Sequence, residues 1–193
     1  MTLMGIIGDL GAGKTLSLVY FGYRAYLKQR KIYTNMRSLI FKDIMALTIL
    51  ELEDMRSGFA GLDELWLWAD SRLSPSLKNR VASLILLKSR KRDMDIVYTT
   101  QHWMQIDCRI RNVTDFLIMP ELSQNETFCR IKVLSYPYLS HVKTITYRTA
   151  PFFKMYDHTE EIEPLICNAD MIKELKRREQ KRIEEKQTIT LNQ

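Results

Sequence analysis

Gly8-Asp9-Leu10-Gly11-Ala12-Gly13-Lys14-Thr15 follows the pattern G-x-x-x-x-G-K-[ST] at every fixed position. The flanks suit it. Residues 3–7 form an apolar run that reads as a buried strand. Residues 16–29 carry Leu16, Val19, Tyr20, Tyr23 and Leu27 at helical spacing. A strand, a glycine-rich turn and a helix in that order make a Walker A phosphate loop. The glycines let the backbone curl its N–H groups toward phosphate oxygens, and the helix start adds the positive end of its dipole. The pattern therefore assigns residues Gly8, Asp9, Leu10, Gly11, Ala12, Gly13, Lys14 and Thr15 to a nucleotide's phosphates. Lys14 reaches the β- and γ-phosphates of ATP, and the Thr15 hydroxyl is a ligand for Mg²⁺.

Further along, Phe59-Ala60-Gly61-Leu62-Asp63-Glu64 ends an apolar strand in two carboxylates. Successive side chains on a strand point to opposite faces, so the pair is expected to divide its labour. Asp63 would hold Mg²⁺ and Glu64 would act as general base on the attacking water. An adjacent acid pair after a phosphate loop favours hydrolysis over transfer to a metabolite. Residues 95–100 read as another strand, ending at Gln101, whose amide can contact the γ-phosphate or its attacking water.

The periodicity predicts further elements: a strand over 31–36, a helix over 41–52, a helix started by Ser74 and Pro75 and running to about residue 90, and strands over 116–119, 128–136 and 143–147. Residues 127–148 could pair as an antiparallel hairpin at the sheet edge. Strands alternating with helices imply an α/β fold, a three-layer P-loop domain of the RecA/ASCE-like kind around a central, mostly parallel sheet. The domain is expected to cover residues 1–168, and a charged helix with a polar end residues 169–193.

The chain's 193 residues suffice for one core without disulfides or structural metal, and its net charge of +6 suits a polyanionic partner. Seven of its cations, and no acid, fall in residues 71–92. Cys108, Cys129 and Cys167 lack metal-ligand spacing and read as free thiols. No apolar run reaches the ~18 residues of a membrane span, so a cytoplasmic location is expected. Asp107-Cys108-Arg109-Ile110-Arg111 could place two arginines on one side of a strand. Trp66, Trp68 and Trp103 fit either a core or a base-stacking surface. In residues 170–186 seven basic and five acidic side chains read as a solvated helix.

The segment Ser89-Arg90-Lys91-Arg92-Asp93-Met94-Asp95-Ile96-Val97-Tyr98-Thr99-Thr100-Gln101 resembles the "GRK…hhhhTQ" segment of the HerA/FtsK superfamily of DNA-pumping ATPases, with Ser89 in place of the glycine. Tyr156-Asp157-His158-Thr159-Glu160 resembles the "YDT-x-E" stretch of the zonula-occludens-toxin-like viral branch, with His158 intruding. The resemblance implies that Arg90 acts in trans as an arginine finger and that Gln101 senses the γ-phosphate. It also implies a homo-oligomeric, hexameric ring on double-stranded DNA and a viral genome-packaging role, with a virion shell or portal protein as a further partner. A virion-assembly ATPase acting on protein and a small P-loop kinase are the alternative readings.

Overall fold

The computed structural model describes residues 2–73, 76, 79, 82–83 and 86–191, the side chains of Leu73, Arg90, Lys186 and 188–191 excepted. In chain order the elements are β1 (Leu3–Ile7), α1 (Lys14–Tyr26), β2 (Lys31–Thr34), β3 (Ile44–Met45), α2 (Ile49–Asp54), β4 (Gly58–Leu62), β5 (Met94–Thr100), α3 (Cys108–Arg111), β6 (Phe116–Leu122), β7 (Phe128–Ser135), β8 (Ser140–Arg148), α4 (Ala150–Phe153) and α5 (Ala169–Leu191). The helix start expected at Ser74 and Pro75 lies outside the described residues, as do Lys78, Arg80, Val81, Leu84 and Ile85. Residues 79, 82, 83, 86 and 87 are helical.

One sheet runs through the molecule in the order β3-β2-β4-β5-β1-β6-β7-β8. Its pairings are parallel from β3 to β6. β6, β7 and β8 then form an antiparallel meander, so the expected edge hairpin is present. The all-apolar run of β4 is buried at every position, as a strand covered on both faces requires. α1 and α4 cover one face, where Leu16, Val19, Tyr20, Val97, Ile118 and Ile131 meet. On the other face, α2 and α5 pack with Leu52, Leu62, Leu65, Trp68, Tyr98 and Ile110. β5 stands between β1, which leads into the phosphate loop, and β4, which leads into the acid pair. All three therefore deliver their C-terminal ends to the same edge.

Three local expectations need correction. Residues 41–52 are not one helix. Ile44 and Met45 pair with Tyr33 and Thr34 as a short edge strand, and the helix begins only after Thr48. There the Thr48 side chain accepts from the Glu51 N–H while Glu51 reaches back to the Thr48 N–H, a capping box. Residues 108–111 form a helical turn rather than a strand, because the Asp107 carboxylate caps the Arg109 N–H at 2.9 Å. The terminal helix continues through the stretch expected as a polar end, to Leu191. It is also only partly solvated. Met171 and Leu175 pack on the core, Arg178 pairs with Asp54, and Arg182 pairs with Glu53.

Candidate functional site

β1 ends at Ile7, and the chain turns through residues 8–13 before α1 begins at Lys14. Gly11 and Gly13 take φ of +77° and +88°, left-handed values that cost a side-chain-bearing residue about 1–2 kcal/mol. Gly13 thus caps α1 with a backbone that lets the loop fold over the helix start. Lys14 is buried, and its Nζ donates to the Asp9 carbonyl 2.9 Å away, spanning the loop from below. The first turn of α1 holds no acidic residue to oppose a bound anion.

Asp63 approaches this loop from β4. The Thr15 hydroxyl donates to its Oδ2 at 3.0 Å, and the Thr99 hydroxyl donates to its Oδ1 at 2.6 Å. Asn35, just past β2, grips the Asp63 backbone from both sides: its Nδ2 donates to the carbonyl, and its Oδ1 accepts from the N–H, each at 2.8 Å. Asp63 is buried with hydroxyl partners, and burial, aided by the nearby Glu64 charge, pushes its pKa up to about 6. Sequence reasoning missed Asn35 and Thr99. A polar side chain at the end of an otherwise buried parallel strand was the available signal.

Glu64 departs from the expected alternation. The strand has ended at Leu62, and Glu64 sits at φ +48°, a left-handed backbone outside any ladder. Its N–H donates to the Thr99 hydroxyl at 2.9 Å, and the Trp66 indole N–H donates to its carboxylate. The two acids are therefore separated by a strained turn rather than by the pleat. Gln101 follows β5, half-buried, and the pairing of Thr100 with Ile7 sets it level with the start of the phosphate loop. Arg90 belongs to the helical turn Ser89–Arg92 at the other end of β5. Seven strand residues separate the two, roughly 23 Å of extended chain.

An open cleft of about 600 Å³ adjoins the loop, lined by Gly11, Gly13, Thr15, Glu126, Tyr156 and His158 among others. That volume suits a nucleotide-sized ligand. The walls come from the β6–β7 turn and from the segment after α4. Burial raises the Tyr156 hydroxyl to about 12, so it stays a neutral phenol. The same segment is tied down by its acids. Glu160 accepts from the Arg37 and Ser38 N–H groups and the Ser38 hydroxyl, and Asp157 accepts from the Thr159 N–H and hydroxyl.

The remaining candidates separate clearly. Trp68 is buried with its indole N–H on the Glu163 carbonyl, and Trp103 packs edge-on against Tyr136 at 5.1 Å. Arg92 is buried in a 2.6 Å ion pair with Glu53, and Arg109 pairs with Asp107 at 2.7 Å. Among the described residues no cluster of three or more His, Cys, Asp and Glu groups gathers around one point. The Thr15 hydroxyl and the Asp63 carboxylate do fit Mg²⁺, a hard cation commonly held by one or two carboxylates and substrate phosphates. Among the described residues no helix is long and apolar enough to cross a membrane.

The chain has the RecA/ASCE-like P-loop NTPase fold: a mostly parallel sheet flanked by helices, with a strand between the phosphate-loop strand and the acid-ending strand. No family model and no curated protein sequence matches it. Solved structures do. The N-terminal domain of zonular occludens toxin from Neisseria meningitidis superposes with a TM-score of 0.56 at 17% identity, over 81% of this chain and all of that one. The genome packaging NTPase B204 from Sulfolobus turreted icosahedral virus 2, in complex with AMP, gives 0.53 at 9% identity, over 73% of this chain and 95% of that one. The same NTPase in complex with ATP-gammaS gives 0.52 at 10% identity, over 76% and 97%.

Proposed function

We propose that the chain hydrolyses ATP with Mg²⁺ and couples turnover to movement of double-stranded DNA, as the genome-packaging motor of a virus. The observation that carries this reading is the Thr15–Asp63 contact. A buried carboxylate meets the phosphate-loop hydroxyl at 3.0 Å, with a second acid on the next residue. The packaging role draws support from the shared fold of a viral genome packaging NTPase seen with AMP and with ATP-gammaS.

In this reading the amides of residues 8–15 and the Lys14 ammonium bind the β- and γ-phosphates. Lys14 exchanges the Asp9 carbonyl for phosphate oxygen as nucleotide enters. Thr15 and Asp63 hold Mg²⁺, which when bound neutralises charge on the phosphate oxygens. Glu64 takes the proton of the attacking water, its carboxylate held in place by the Trp66 indole. Gln101, level with the loop, reads the γ-phosphate. Arg90, in the turn before β5 and a strand's length from the phosphate loop, completes the site of a neighbouring subunit rather than its own, which requires a ring, six-membered by analogy. Residues 1–168 are the motor domain and 169–193 its charged helix and tail, the helix paired to the domain through Arg178 and Arg182. A virion shell or portal protein anchors the ring, and the work is done in the host cytoplasm.

Binding and turnover measured separately test this assignment. Wild type and Glu64→Gln should bind a fluorescent ATP analogue alike, while only wild type releases phosphate. Lys14→Ala should lose both. Normal turnover in Glu64→Gln would remove the hydrolytic assignment. Phosphate transfer to a nucleoside would replace it with the kinase reading.

A further inference from the structure

β7 and β8 extend the sheet past α2 and α5, which cover one face of its other strands. Toward α1 their side chains are buried: Cys129, Ile131 and Val133 on β7, and Tyr147 on β8. On the opposite face the apolar cluster among the described residues includes residues of β1, β2, β4 and β5 and none from β6, β7 or β8. That open face carries Arg130 and Lys132 on β7 and Thr144, Thr146 and Arg148 on β8, all exposed, with the exposed apolar side chains of Met119 and Phe128 beside them. The register sets Arg130 opposite Thr146 and Lys132 opposite Thr144. One acid shares the face, Glu121 of β6, opposite Arg130.

These cations also differ from the chain's ion-paired arginines. Arg30, Arg37, Arg72, Arg92, Arg109 and Arg178 each hold a carboxylate. Arg130, Lys132 and Arg148 hold none among the described residues. An interface between copies of a chain is depleted of charge at its centre, and this face has its cations there. We propose that the open face of the β6–β8 meander is where the chain grips the phosphate backbone of DNA. The inference rests on the DNA reading above and adds the surface that does the gripping.

The spacing suits that partner. Alternate residues on a strand lie on the order of 7 Å apart, and adjacent strands ~4.8 Å apart. Phosphates of one DNA strand advance ~3.4 Å along the axis per nucleotide, so Arg130 and Lys132 span two steps. Contacts from arginine, lysine and threonine to phosphate and sugar carry no sequence information, as movement along any sequence requires. The same meander reaches the nucleotide. Leu122 and Glu126, at the β6–β7 turn, line the cleft. Beneath the loop, Ser17 of α1 bonds the Tyr147 hydroxyl at 3.3 Å and sits 3.7 Å from the Cys129 sulfur. The nucleotide cleft and the cation-bearing face are therefore parts of one meander.

The test measures anisotropy of a labelled 30-base-pair duplex against salt, with the full chain. Arg130→Gln/Lys132→Gln/Arg148→Gln should bind ATP analogue as wild type does. It should lose about tenfold or more in DNA affinity and flatten the log–log salt slope by about 2–3, since each released phosphate contact contributes about 0.9. Lys173→Gln/Lys176→Gln/Lys181→Gln removes equal charge from α5 and should change far less. Glu121→Gln should tighten binding about twofold or more, a gain that misfolding cannot mimic. If wild type binds duplex and the meander variant matches it in affinity and slope, the inference fails while the motor reading stands. If the α5 variant loses as much, net charge rather than this face is responsible, and the inference fails. A change in native mass of the meander variant without DNA would assign the face to a second copy and also overturn it. Wild type binding no duplex at any salt would remove the DNA reading itself.

Discussion

Replacing Asp63 with asparagine should stabilise the nucleotide-free protein at neutral pH while removing its use of Mg²⁺. The carboxylate is buried, its partners are two hydroxyls, and its pKa stands at about 6 rather than 3.8. At about 1.4 kcal/mol per unit, ionised Asp63 costs the apo fold on the order of 3 kcal/mol at neutral pH. Asparagine keeps the shape. Its oxygen can accept from Thr99 and its amide can donate to a rotated Thr15 hydroxyl. Because the folded pKa lies above the unfolded one, wild type loses stability as pH rises from about 4 through 6, and the variant does not. Urea unfolding should show the variant ahead by up to about 3 kcal/mol near pH 7.5. The lead should shrink to about half near pH 5 and close below about pH 4. Adding ATP with Mg²⁺ should then stabilise wild type more than adding ATP alone, and asparagine should remove that increment. A variant less stable than wild type by the same amount at every pH would refute the desolvation argument.

Trp66→Phe, which removes the indole donor on Glu64, should slow turnover about tenfold with ATP affinity unchanged, read by phosphate release. Arg90→Ala should lower hydrolysis by about 10³-fold while sparing ATP binding, and mixing with Lys14→Ala should restore part of it; a dead mixture in proven mixed rings would reject the trans role. Arg92→Ala should instead cost stability, about 3 kcal/mol in urea unfolding, because it strips one partner from buried Glu53 and leaves Arg182 as the other. Gly13→Ala should destabilise by about 1–2 kcal/mol in the same assay through its left-handed φ alone, since the nearest atom to an added Cβ is 3.5 Å away.

The chain announces its centre more clearly than its margins. β1, the phosphate loop, β4 and β5 are legible because their apolar runs are short, continuous and stopped by glycine or by acids, so pattern and burial agree. Residues 41–52 misled because Phe41, Ile44, Met45 and Leu52 can be read at helical spacing. What placed the helix was the Thr48-Ile49-Leu50-Glu51 capping box, a signal present in the sequence and outweighed there by periodicity. At 107–111 two arginines two residues apart read as one side of a strand until Asp107 is seen capping the turn. The turn at Glu64 was illegible for a different reason. Nothing in the sequence distinguishes a residue at the end of a strand from one held left-handed by Thr99 and Trp66, partners 35 and 2 positions away. The open face of β7 and β8 was readable only as alternation. That no helix among the described residues covers this face is decided by where α2, α3 and α5 pack, on strands distant in sequence.

The most direct test of the account is the steady-state rate of phosphate release from ATP and Mg²⁺, with and without double-stranded DNA, across a salt series and with no acceptor substrate present. The account predicts hydrolysis that depends on Mg²⁺, rises when duplex is added, and loses that stimulation as salt displaces the protein from DNA. Hydrolysis indifferent to duplex at every salt concentration, or no release until a metabolite acceptor is supplied, would contradict it.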